Sequence, residues 1–200
     1  MSSRFQDWQH DQSDLLTEVW VVCHRCASPG VVRSTVPYWQ STPTFTCSAC
    51  GLSLRGRHTS WVGPCHGWVR SRCSQCGRWL HHSLRSANGY GPRRFKLQCP
   101  GCSLLNDAPV EWSPESSGPP VDPTFGLALR LQTPCLGHTL WAYNPKHLDF
   151  LRSYVEAKVR ERVPNANASL ASRLPKWLKL ARNRRSALAA LDKLAENAAA

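Results

Sequence analysis

Arg72-Cys73-Ser74-Gln75-Cys76-Gly77 and Leu97-Gln98-Cys99-Pro100-Gly101-Cys102 together carry the pattern C-x2-C-x22-C-x2-C. Upstream, Val22-Cys23-His24-Arg25-Cys26 and Phe45-Thr46-Cys47-Ser48-Ala49-Cys50 carry C-x2-C-x20-C-x2-C. Two residues between thiolates let one tight turn, a knuckle, set both sulfurs on one ion. A second knuckle brought alongside by a hairpin completes a tetrahedral shell with Zn–S bonds of about 2.3 Å. Gly51 and Gly77 follow the second cysteines of their pairs, and Pro100-Gly101 sits inside the fourth, all residues that tolerate tight turns.

The two halves align as an internal repeat, with Phe45 and Leu97 each two places before a closing knuckle. Sequential pairing closes the smallest loops, so Cys23, Cys26, Cys47 and Cys50 are expected on one ion and Cys73, Cys76, Cys99 and Cys102 on a second. Pairing of Cys47/Cys50 with Cys73/Cys76 has the same x22 spacing and stays open on sequence alone. Disulfides fit less well: Met1-Ser2-Ser3-Arg4-Phe5-Gln6-Asp7 has no apolar signal core, so a reducing, cytoplasmic setting is expected. Thioredoxin-like redox chemistry would place a single CxxC beside a βαβ pattern, which does not surround these pairs. Iron suits the same four-sulfur geometry, and zinc is preferred because no other redox signature is present.

With 200 residues and 42% hydrophobic content, the chain can form one moderate domain or several small modules that need metal staples. No apolar run approaches the ~18 residues of a membrane span. The expected class is a small metal-stapled α+β fold: two tandem zinc ribbons, a further β-hairpin, and a C-terminal segment of two to three helices. A polar arm covers 1–16, ribbon one 17–57, a connector 58–67, and ribbon two 68–106. A Pro/Ser-rich linker follows over 107–124, then the hairpin over 125–144 and basic helices over 145–200.

In the C-terminal part, Thr133-Pro134-Cys135-Leu136-Gly137-His138 separates two apolar runs, which reads as a hairpin turn. Asn144-Pro145 supplies a helix cap and first residue, and Leu148, Leu151, Val155 and Val159 recur at helical spacing in a helix that ends before Pro164. A second helix is expected after Asn167 or Ser169. A third, capped by Asn183, would carry an apolar stripe of Ala187, Leu188, Leu191, Leu194 and Ala195. Lys176, Lys179, Arg182 and Arg185 fall at every third residue and read as a second, basic stripe.

The paired knuckles, Leu131–Asn144 with its Trp141-Ala142-Tyr143-Asn144 end, His147–Leu151, Tyr154–Ala157, and Asn167–Trp177 with Ser169-Leu170-Ala171-Ser172-Arg173-Leu174-Pro175-Lys176-Trp177 together resemble an uncharacterised bacterial family of TFIIB-type zinc-ribbon proteins. The resemblance spans nearly the whole chain and implies a zinc fold without an established activity.

The net charge of +12 is unevenly spread: 0 over residues 1–56, +7 over 57–107, −2 over 108–144 and +7 over 145–200. Such clustering is the footprint of a polyanion binder. Candidate phosphate contacts are Arg70, Arg72, Arg78, Arg93, Arg94 and Lys96 around ribbon two, with Lys176, Lys179, Arg182, Arg184 and Arg185 in the tail. Trp68, Trp79 and Tyr90 are candidate stacking residues, against a plain core role. Filled four-thiolate shells have no open position, and neither a phosphate loop nor a nucleophile motif occurs, so a non-catalytic DNA- or RNA-binding accessory protein is expected. The alternative is a protein adaptor docking through the C-terminal apolar stripe. Cys65 and Cys135 read as buried thiols; the sharper alternative is a third shell from Cys135 and His138 with Cys65 and His58 or His66. A catalytic Cys-His pair on those residues would lack an orienting third group. Of His81 and His82, one is expected to face the core and one solvent, and His24 to be exposed.

Overall fold

A knuckle has to turn the chain back on itself immediately after its second cysteine. It does so at positive φ at all four sites: 59° at Ala27, 71° at Gly51, 69° at Gly77 and 61° at Ser103. Each of these residues donates its N–H to the first cysteine's carbonyl, at 2.9–3.0 Å. The first cysteines donate in turn to Ser28, Leu52, Arg78 and Leu104 at 2.8–2.9 Å. In the fourth knuckle it is Ser103, rather than Gly101, that takes the left-handed conformation.

The computed structural model describes residues 4–6, 12–35, 40–56, 60–115, 118–161 and 170–199; His58, Asn167 and Ser169 lie outside them. In chain order come β1 (Arg4–Gln6), α1 (Gln12–Leu15), β2 (Glu18–Val22), β3 (Pro29–Arg33), β4 (Thr44–Thr46) and β5 (Ser53–Arg55). They are followed by β6 (Cys65–Arg72), β7 (Trp79–Ser86), β8 (Arg94–Gln98), β9 (Leu105–Pro109) and β10 (Glu111–Pro114). The remainder is β11 (Leu131–Cys135), β12 (His138–Ala142), α2 (Pro145–Glu156), β13 (Val159–Glu161), α3 (Leu170–Arg173), α4 (Lys176–Lys179), a 3-10 turn at Ala181–Asn183, and α5 (Arg184–Ala199). This is a small α+β fold with two tandem zinc ribbons, a further hairpin and C-terminal helices. The chain divides into two compact units, one of residues 1–56, 119–122 and 128–200, the other of 57–118 and 123–127.

In the first unit β2, β3, β4 and β5 form an antiparallel sheet in sequence order. Val19, Val32 and Phe45 lie on one buried face because strand side chains alternate, and the Phe45 ring occupies the space a side chain on Gly30 would need. The free edge of β2 is covered by the chain near Ala128, with Val22 N–H donating to Ala128 O and Arg130 N–H to Trp20 O, both at 2.9 Å. β11 and β12 pair across Leu136 and Gly137, both at positive φ, the conformation that matches a two-residue hairpin to strand twist. Asn144 caps α2: its Oδ1 accepts from His147 N–H at 2.9 Å, and its Nδ2 donates to Leu15 O and Glu18 O. α2 packs on α5, whose Ala187, Ala190, Leu191 and Leu194 are buried, while Arg152 bonds Asp192 at 2.6 Å.

The expected arm, tail and linker need correction. Phe5 of the arm is buried edge-on against Phe150 and Tyr154, and β1 pairs in parallel with β13. That pairing takes Val159 out of the helix: α2 stops at Glu156, and Ala157 is extended. The basic stripe does not form either. Leu180 is extended between α4 and the 3-10 turn, so Lys176 and Lys179 belong to a different helix from Arg185. Within the expected linker, β9 runs to Pro109 and β10 adds an edge strand to β6.

In the second unit β6 is central, with β10 and β7 on its two sides, and β8 pairs with β9. Cys65, Gly67 and Val69 form the buried face of β6; Trp112 lies against Gly67, where a side chain would meet its ring at 2.9 Å. Leu80 packs with Cys73, Cys99 and Leu97, and His82 stacks on Phe95 at 4.8 Å.

Candidate metal centres and a basic aromatic sheet face

The knuckles pair sequentially. Cys23, Cys26, Cys47 and Cys50 bring their sulfurs within 4.8 Å of one another, as do Cys73, Cys76, Cys99 and Cys102. The pairing of Cys47/Cys50 with Cys73/Cys76 does not occur. Sulfur separations are 3.7 Å for Cys23–Cys50, 3.5 Å for Cys26–Cys47, 3.5 Å for Cys73–Cys102 and 3.6 Å for Cys76–Cys99. Four Zn–S bonds of about 2.3 Å in a tetrahedron put the sulfurs about 3.8 Å apart, so both shells fit zinc. A disulfide would need about 2.05 Å.

The electrostatics of the shells point the same way. Backbone N–H groups of Cys76 and Gln75 hold the Cys73 thiol down to about 6, and Ser28 does the same for Cys26. Against its Leu104 N–H bond, Cys102 is pushed up to about 12 by burial and by the three thiols beside it. Cys50, despite its Leu52 N–H bond, is pushed up to about 11 by burial and by its own three neighbours. Four such thiols oppose one another's ionisation, and a dication at the centre of each shell removes that opposition.

Asn106, which sequence spacing does not flag, buttresses the second shell. Its Nδ2 donates to Cys73 Sγ at 3.6 Å and to Leu104 O at 2.9 Å, while Oδ1 accepts from Ser74 N–H at 3.1 Å. Groups of this kind orient first-shell ligands. No third shell forms among the described residues. Cys65 and Cys135 are buried thiols directed at Gly63 O and Ser186 O, both at 3.7 Å, and burial raises the pKa of each. His138 stacks on Trp177 at 4.9 Å.

The exposed face of β6 carries His66, Trp68, Arg70 and Arg72, and the strand register sets Arg85, Ser83, His81 and Trp79 opposite them. Trp79 is 53% exposed and Trp68 38%. The Arg72 guanidinium lies 4.4 Å above the Trp79 ring, Trp79 stacks with His81, and His66 packs against Trp68. Glu111 of β10 pairs with Trp68, and Glu115 lies 3.7 Å from Arg85. Contrary to expectation, both His81 and His82 are exposed, because β8 shields only one side of His82.

The other predicted cations divide among different surfaces. Arg94 and Lys96 alternate with half-buried Phe95 and Leu97, and Phe95 meets β7; both cations therefore face away from the β6–β7 face. Arg94 is also held by Asp107, at 2.8 Å. Arg78 lies against Gly101 in the fourth knuckle, and Arg93 is exposed just before β8. In the tail, Lys176, Arg182 and Arg185 are exposed. Lys179 donates to Ser172 O, and half-buried Arg184 donates to Ala157 O at 3.0 Å, an anchoring role rather than a phosphate contact. Tyr90 is partly exposed.

Among the described residues no helix is long and apolar enough to cross a membrane. No protein-family model, no curated protein and no solved structure matches this chain.

Proposed function

We propose that this chain is a zinc-stapled, non-catalytic protein that binds single-stranded DNA or RNA on the exposed β6–β7 face. The observation that carries the reading is the convergence of Trp68, Trp79 and His81 with Arg70 and Arg72 on one solvent-facing sheet surface. Aromatic side chains left bare on a rigid sheet are platforms for unpaired bases, and neighbouring guanidiniums meet the backbone phosphates. A duplex buries its base faces and offers such a surface only phosphates. Metal would act by holding the hairpins in register, since a four-thiolate shell keeps no position for substrate. Kinship with the bacterial TFIIB-type zinc-ribbon proteins belongs to the same proposal and rests on the Leu131–Asn144 and Asn167–Trp177 stretches.

The adaptor reading changes form. The α5 stripe is buried within its own unit, with Leu191 and Leu194 at 0% exposure, so it offers nothing to a partner. Exposed Leu104 and Leu105 beside the fourth knuckle are what favours an adaptor. A titration of oligonucleotides followed by tryptophan fluorescence separates the two. Quenching by single strands that exceeds quenching by duplex supports the proposal; no binding to either at ~50 mM salt, where phosphate contacts are strong, leaves the adaptor.

A further inference from the structure

Two stretches distinctive in the sequence, Trp141–Asn144 and Leu170–Trp177, are separated by α2 and serve neither zinc nor the sheet face. They meet around a cavity of about 220 Å³ in the first unit, between β12, α2 and the α3–α4 segment. Its walls are largely apolar, with Trp141, Leu151, Leu174 and Trp177 among them, and Arg173 adds a cation.

His147 is the polar group in this wall that calls for an explanation. It is 3% exposed. Its Nδ1 accepts the Tyr143 N–H at 3.2 Å, so the neutral ring carries its proton on Nε2. That Nε2–H is screened from water and has no hydrogen-bond partner. Burial keeps the ring neutral, and Trp141, Tyr143 and Phe150 surround it. A buried donor without an acceptor is rare in folded proteins, and each instance asks for the group that satisfies it.

We propose that this cavity binds a small monocyclic aromatic molecule bearing a carbonyl or carboxylate, whose oxygen accepts the His147 Nε2–H while the ring lies between Trp141 and Trp177. Size agrees: a dry apolar cavity of about 150 Å³ already takes up benzene. Arg173 favours an acceptor that is negative or strongly dipolar. The inference is independent of the nucleic-acid reading, since it rests on different residues in a different unit.

Toluene, benzamide and benzoate serve as probes of the zinc-loaded full chain, followed through the imidazole and indole NMR resonances. Benzamide and benzoate should shift His147, Trp141 and Trp177 and bind about tenfold more tightly than toluene, the worth of one hydrogen bond. His147→Phe should abolish that preference. Leu174→Trp, which fills the cavity and leaves His147 in place, should block all three probes with zinc content unchanged; it keeps the test intact if the first variant fails to fold. Binding of none of the probes at millimolar concentration overturns the proposal. So does equal affinity for toluene and benzamide, or binding that survives Leu174→Trp.

Discussion

The backbone N–H of Tyr143 donates to Nδ1 of His147 at 3.2 Å, across the first turn of α2, and so fixes which nitrogen of a buried imidazole bears the proton. His147 N–H in turn donates to Asn144 Oδ1, so cap and imidazole order the same turn.

Burial lowers the His147 pKa to about 4, against about 6.5 in the unfolded chain. Below pH 6.5 the unfolded state takes up a proton that the folded state refuses. Stability must therefore fall as pH drops from 6.5 towards 4, by up to about 3 kcal/mol, and this group adds nothing further below 4. Urea midpoints at pH 7 and pH 4.5 should show the loss, with His147→Phe losing less over the same interval. Equal losses in both proteins would assign the acid sensitivity to the zinc thiolates alone.

Elemental analysis should find two zinc ions per chain, and chelation should unfold both ribbons. Cys73→Ser should lose one ion. Cys65→Ser and Cys135→Ser should keep both, at about 1–2 kcal/mol of stability each. A third ion, or loss of one on either of these last substitutions, would contradict the two-shell geometry.

The two knuckles that turn at positive φ without glycine carry avoidable strain. Ala27→Gly and Ser103→Gly should each stabilise the zinc-loaded protein by up to about 1 kcal/mol. Gly77→Ala should cost a similar amount through conformation alone, because nothing lies within 4 Å of the added methyl. Thermal unfolding of the three variants checks the sign in each case.

Trp79→Ala and Trp68→Ala should weaken single-strand binding by about 1–3 kcal/mol per lost stack. Arg70→Glu with Arg72→Glu should flatten the salt dependence by about 0.7 per lost phosphate contact. Arg94→Glu with Lys96→Glu, on the opposite surface, should do much less. Equal effects of the two charge reversals would reduce the binding to diffuse electrostatics.

Much of the site was legible because its chemistry is local. A CxxC knuckle is made by four consecutive residues, so spacing alone gave the ligands, and loop length favoured the pairing that Cys23/Cys47 and Cys73/Cys99 adopt. The Asn144-Pro145 start of α2 is local in the same sense, since the cap bond spans three residues. Phe5 could not be placed from its polar surroundings, because its partners Phe150 and Tyr154 lie far along the chain. Val159 kept the helical period yet pairs with β1, an edge contact that no periodicity reports.

Sequence by itself determined the two zinc shells, the hairpin at Leu136-Gly137 and the apolar side of α5, each through interactions within a turn, a tight loop or one helix face. Tertiary structure decided which side of a sheet a charge occupies. Register placed Arg70 and Arg72 beside Trp79 and His81, whereas β8 turned Arg94 and Lys96 the other way. It also brought Trp141 and Trp177 around His147, because the free energy of burying apolar surface depends on which faces meet in space and is blind to their separation along the chain.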